Sequence, residues 1–133
     1  MLKLSTDFID ARVARLASCS AAGQRHCVPV CFAYCKGVLV VALDEKPKRV
    51  EVLRLKRVRN VLENPQVSLL VDHYEEDWSR LRFSLLEGTA QLRELSSAEL
   101  VALRKKYSQY ESMALRWGLV IEPVRMVAWE AGG

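Results

Sequence analysis

A chain of 133 residues, half of them hydrophobic and 27% charged, has the size and apolar content of a single domain, 1–133, with a real core. Its net charge of +4 is concentrated: seven of the 20 lysines and arginines lie between Lys46 and Arg59, against one acid, Glu51, and the remainder holds more acids than bases. That placement disfavours a general nucleic-acid surface, and the absence of a signal-like or membrane-length apolar run predicts a cytoplasmic protein with no membrane partner.

The chain opens with "TDFIDARV" (6–13), which predicts a short helix capped by Thr6 or Asp7, with Phe8, Ile9 and Val13 toward one side. The turn signals "AAG" and "KG" then separate β-rich runs and predict strands near 14–20, 25–35 and 38–43 joined by tight hairpins. Pro47 suits a helix start, and Val50, Leu53, Val58, Val61 and Leu62 provide a broad apolar face up to Asn64-Pro65, which ends that helix. "QVSLLVDHY" reads as a buried strand, "EEDWSR" as a polar loop around a tryptophan, and "LRFSLLEGTAQLREL" as a long strand with a bulge at Gly88. Ser96 and Glu99 form a capping box before the helix "SSAELVALRKKY", and "LVIEPVRMVAWE" closes as a strand. This order predicts a mainly antiparallel barrel with helices packed outside.

Common catalytic constellations are missing. The four cysteines, Cys19, Cys27, Cys31 and Cys35, read as small buried hydrophobes. Cys27, Cys31 and Cys35 are spaced by four in a strand, roughly 13 Å per step, too far for neighbours to share one metal ion. His26 and His73 lack spaced ligand partners and read as hydrogen-bonded barrel residues. With no glycine-rich phosphate loop, an enzyme built on this chain takes its chemistry from a cofactor.

Three readings of the basic stretch are open. A solvated amphipathic helix accounts for Arg54, Arg59 and Lys56. Lys46, Lys48 and Arg49 crowd the expected helix N-terminus, where the macrodipole disfavours cations unless an anion binds. A single-stranded nucleic-acid site would need stacking groups, and no aromatic residue lies between Lys46 and Arg59.

The segments "AAGQRHCVPVCF" and "RVRNVLENPQVSLLV", in that order, resemble the pyridoxamine-5′-phosphate-oxidase-like flavin-binding split barrels, and "KPKR" with "DHYEEDWSRL" resembles the subgroup that uses the deazaflavin F-420. The resemblance covers almost the whole chain. It implies a mainly β protein, a six-stranded Greek-key split β-barrel with flanking helices, acting as a homodimeric oxidoreductase on a small organic substrate with F-420 or FMN bound at the dimer interface. Pro29, Val30, Cys31 and Phe32 would run beside the cofactor ring. Arg57, matching the family's basic position three residues before the helix asparagine, and Lys46, Lys48 and Arg49 would supply the phosphate grip. Trp78 of the partner subunit could pack on the ring, and Tyr74 or Arg80 could orient a substrate. The chain ends at "VAWEAGG", without the C-terminal substrate-binding elements of true pyridoxamine-phosphate oxidases, so that reaction is not implied. A non-catalytic cofactor carrier or redox sensor is the main alternative, and a nucleic-acid module a further one.

Overall fold

A computed structural model describes residues 2–44 and 48–132. In chain order the elements are α1 (Thr6–Asp10), β1 (Ala14–Cys19), β2 (Arg25–Val30), β3 (Ala33–Cys35), β4 (Val38–Ala42), α2 (Arg49–Val52), α3 (Lys56–Glu63), β5 (Gln66–His73), β6 (Arg82–Glu94), α4 (Ser97–Lys106) and β7 (Trp117–Glu130), with short 3₁₀ turns at Trp78–Arg80 and Ser108–Ser112. The strands form one antiparallel sheet in the order β2-β1-β5-β6-β7-β4-β3.

That order closes the barrel. β2 and β3 are the two edges of the sheet, yet only Cys31 and Phe32 separate them in sequence. Two residues reach no more than about 10 Å between their flanking positions, so the sheet must curl until its edges meet, giving a split barrel with helices outside. Six strands were expected and seven are present, because the run 25–35 is broken at this corner. At the corner Phe32 is fully buried against Phe8, with ring centroids 5.5 Å apart, continuing the inward alternation of Val30. Ala33 then faces the other way, beneath α4, so the in-and-out alternation runs on through the corner.

The barrel interior is packed by Leu16, Leu39, Leu69, Leu86, Leu119 and Ile121, all fully buried. A second cluster lies outside, where Leu103, Tyr107, Tyr110 and Leu115 from α4 and the turn after it cover Ala33, Val40 and Ala42. The cysteines depart from expectation, for none is fully buried: Cys27 is exposed on the outer face and the others are half-buried.

The helix expected from Pro47 onward is two helices. Lys46 and Pro47 lie outside the described residues. Beyond them α2 runs for four residues, and α3 starts afresh after an extended Leu55. At about 100° per residue Val52, Leu53 and Leu55 point in different directions, yet Val52 is in the core and both leucines pack against it. The chain meets these demands by changing axis.

The expected bulge is present at Gly88. Glu87 pairs with Arg125 and Gly88 with Pro123, so the extra residue is Val124, on β7. The pairing of β4 with β7 ends at Ile121, so Pro123, which has no N–H to donate, sits where no β4 partner needs one.

The capping box also forms. Ser96 Oγ accepts from Glu99 N (3.2 Å), and Glu99 Oε1 accepts from Ser96 N (2.8 Å). The buried Glu99 carboxylate also takes both guanidinium arms of Arg93, at 2.8 and 2.6 Å. Those bonds hold its pKa below the ordinary value, against desolvation. Glu99→Gln is expected to cost about 2 kcal/mol, read as a fall in melting temperature at pH 7. The gap is full above the unfolded carboxyl pKa, about 4.3, and closes as pH falls through the lower folded value. A gap unchanged down to pH 2 would contradict the assignment.

Candidate functional site

The start of α3 is where the basic stretch meets the barrel. No side chain caps this helix and its first turn holds no acid, so the cations Lys56 and Arg57 occupy the positive end of its dipole. Lys48 and Arg49 stand at a helix start, as expected, but it is that of the four-residue α2, which has little dipole, and both are exposed. Arg54 and Arg59 are exposed as well.

Lys56 reaches back to the β1–β2 turn, its Nζ donating to Gln24 Oε1 at 3.1 Å. Arg57 is half-buried, and its Nε is shut from solvent without a hydrogen-bond partner. Burial lowers the pKa of its guanidinium, and the carboxylate of Asp44, at the end of β4, opposes the fall. Its Nε is thus desolvated without a hydrogen-bond acceptor among the described residues.

One turn further along α3, Asn60 is fully buried. Its Nδ2 donates to Ser18 Oγ at 3.1 Å, and its Oδ1 has no partner. Ser18 is paired across β1–β2 with His26, whose Nδ1 is buried and also unpartnered. Among the described residues, the buried side-chain nitrogens and oxygens left without partners are those of His26, Arg57 and Asn60. They lie along one seam formed by α3, β1 and β2. Unpaired buried groups are costly, and each calls for a physical explanation. Ser18, His26 and Asn60 were not among the expected site residues. The available signal was a lone asparagine three residues after Arg57 on an otherwise apolar helix face.

The expected ring segment divides by alternation. Pro29 is exposed on the outer face and Cys31 is half-buried, whereas the side chains of Val30 (8% exposed) and Phe32 (0%) belong to the core. Val30 and Phe32 can therefore meet a ligand only through their backbone. Cys31 lies among Tyr107, Tyr110 and Lys106; burial, with Asp44 next, pushes the Tyr110 phenol up.

Trp78 is 66% exposed on the loop after β5, in a turn capped by Asp77, whose Oδ1 accepts from Ser79 N at 3.1 Å. Arg15 pairs with Leu70 and Ala17 with Ser68, so the loop after His73 lies at the opposite end of β1 from Ser18. Trp78 is therefore far from the Arg57 seam of its own chain. Nearby, His73 Nε2 contacts the Glu75 carboxylate, Arg80 lies 3.6 Å from the same carboxylate, and Tyr74 is exposed.

Two grooves flank these elements. One, of about 870 Å³, borders Ser18, His26, Cys19, Cys27 and the Val124 bulge. The other, of about 540 Å³, runs from α1 to the exposed, stacked rings of Phe83 and Trp129, 5.9 Å apart. Between them the outer face carries Pro29, Arg15, Leu70, Leu85 and Val127 in register across five strands.

A family model described as pyridoxamine 5′-phosphate oxidase matches residues 3–130. The chain belongs to that family. Solved structures share the split-barrel fold at low identity. A conserved hypothetical protein from Mycobacterium tuberculosis is 20% identical with a TM-score of 0.72, over 97% of this chain and 86% of that one. The heme storage protein HutZ from Vibrio cholerae is 14% identical with a TM-score of 0.66, over 91% and 87%. An F-420 reductase is 15% identical with a TM-score of 0.65, over 96% and 98%. No curated protein matches the chain by sequence. Among the described residues no helix is long and apolar enough to cross a membrane.

Proposed function

We propose that this family member is a homodimeric oxidoreductase that holds a flavin-type cofactor, F-420 or FMN, with its phosphate on Arg57 and its ring beside Pro29–Phe32. The observation that carries the reading is the Arg57 guanidinium, half-buried at an uncapped helix start with its Nε unpartnered. A phosphate oxygen supplies the missing acceptor and charge together. Asn60 Oδ1 and His26 Nδ1, along the same seam, suit the polar groups of the cofactor's chain.

Such a cofactor supplies hydride transfer to or from a small organic substrate. The protein's part is to bind the phosphate, fix the ring against β2 and exclude water. The loop carrying the exposed Trp78 leaves β5 at the end of β1 that pairs with Pro29 and Val30, and in the dimer of this reading the partner's loop covers the ring's open side. The apolar outer face, with Phe83 and Trp129 at its end, suits a second copy burying at least about 2,000 Å² in total, which would bring the partner's loop to the ring. No nucleic-acid or membrane partner enters this reading.

The test is a side-by-side titration of purified protein with FMN, F-420 and hemin, with sedimentation of each mixture. Expected are saturable binding of FMN or F-420, one per chain, and a dimer. Turnover of the reduced cofactor with candidate acceptors then separates an oxidoreductase from a carrier or redox sensor. Binding of hemin alone would replace this reading with heme binding, the property named for HutZ. Binding of RNA or DNA with no cofactor would replace it with a nucleic-acid module, and a fully loaded, stable monomer would refute the shared site.

A further inference from the structure

The corner between β2 and β3 is held from outside the sheet. The backbone of Phe32 has both polar groups engaged by two consecutive residues of α4 and its end. Phe32 N donates to Tyr107 Oη at 3.1 Å, and Phe32 O accepts from Lys106 Nζ at 2.8 Å. The same ammonium donates to Ile9 O at 2.8 Å and lies 3.8 Å from the centroid of the Phe32 ring, and Tyr107 Oη donates to Arg12 O at 2.9 Å. One lysine and one tyrosine thus tie three separate pieces of chain together: the end of α1, the entry to β1, and the corner where the barrel's edges meet.

We propose that Lys106 and Tyr107 are positioning residues, which set the backbone of the Cys31–Phe32 corner and through it the segment Pro29–Phe32 that faces the cofactor ring. The second half of this statement rests on the cofactor reading above; the first half does not. A lysine side chain is a poor choice for mere packing at this place, because it must shed water. Burial pulls its pKa down to about 8, with Arg12 adding to the fall and Asp10 and Cys31 opposing it. What the ammonium supplies that an apolar chain cannot is two charge-assisted bonds to carbonyls from different elements. Phe32 cannot complete a ladder of its own, since it lies between β2 and β3 and in neither. Its position is consequently decided by whatever bonds its N–H and C=O.

The experiment compares wild type with Lys106→Met, Lys106→Arg and Tyr107→Phe in the full chain. Hydrogen exchange at the Phe32 amide is read without ligand, and FMN and F-420 affinity is read per folded molecule, with near-ultraviolet circular dichroism giving the folded fraction. Exchange at Phe32 is expected to rise at least about tenfold in Tyr107→Phe while the β5 and β6 amides keep their protection. Affinity is expected to fall about tenfold in Lys106→Met and to return to within about threefold of wild type in Lys106→Arg, which keeps a cation able to reach two carbonyls. Unchanged exchange at Phe32 would overturn the assignment of the corner. A lower melting temperature in Lys106→Met with unchanged affinity would make the pair a fold clamp only. Wild type that binds neither cofactor would defeat the cofactor reading and the link to the ring, leaving the corner to be decided by the exchange result.

Discussion

Replacing Arg57 by alanine is expected, on the proposed function, to weaken cofactor binding about a hundredfold. A charge-assisted hydrogen bond to phosphate contributes roughly 1.5–3 kcal/mol, and a hundredfold change in affinity corresponds to about 2.7 kcal/mol. Arg57 belongs at the upper end of that range because its guanidinium is half-buried, where charge is poorly screened, and its Nε has no internal acceptor to give up. Lys48 and Arg49 are exposed, so their alanine variants lose only a few-fold, and less as salt rises. Arg54→Ala and Arg59→Ala are expected to leave affinity unchanged. Without cofactor, Arg57→Leu, which keeps the packing of the stem, is expected to melt at the wild-type temperature or above it, since it removes a poorly solvated cation. The measurements are equilibrium titration and apo melting for each variant. An Arg57→Ala protein with wild-type cofactor affinity and lost affinity for RNA would overturn the proposed function.

Gly88→Ala is expected to lower stability by about 3 kcal/mol, the upper end of what overpacking costs. A Cβ at this position would meet Glu122 O at 2.6 Å and Ile121 Cγ2 at 2.8 Å. The first is a backbone oxygen, which cannot rotate away, and it belongs to the bulged part of β7, whose register is already tied to β6. The methyl group must therefore push two strands apart where they shape the wall of the larger groove. Gly23 makes a useful contrast. It adopts φ +85° with open space around it, so Gly23→Ala meets no atom and costs only the left-handed backbone penalty, about 1 kcal/mol. Thermal unfolding of the two variants tests this: similar losses at both positions would show that close approach of β7 is not what requires Gly88.

Several features were legible in the sequence because their causes are local. Alternation and turn residues located the strands to within a few residues, Ser96 with Glu99 marked the start of α4, and Gly88 marked the bulge. The concentration of charge between Lys46 and Arg59 was visible as well, as was Arg57 through its distance from Asn60. Helix start signals were less dependable. Pro47 promised one long helix, but burial of Val52, Leu53 and Leu55 in one core required a change of axis, a demand set by residues distant in sequence.

The sequence pointed to Arg57 only through the family resemblance; which of the six described cations is desolvated was decided by the tertiary structure. Lys48, Arg49, Arg54, Lys56, Arg57 and Arg59 are alike in sequence, but packing α3 against β1 and the end of β4 strips water from Arg57 and leaves Arg54 and Arg59 in solvent. The same packing left Asn60 Oδ1 and His26 Nδ1 unpartnered, which no local pattern encodes, because a missing partner is a property of everything nearby. The β2–β3 corner arises in the same way: Phe32 belongs to a β-rich run, and only closure of the sheet, with Lys106 and Tyr107 arriving about 75 residues later to bond its backbone, turns that run through a corner. Local chemistry thus determined where strands and caps form, whereas desolvation, which depends on what the folded chain brings close, decided which side chains are left needing a partner.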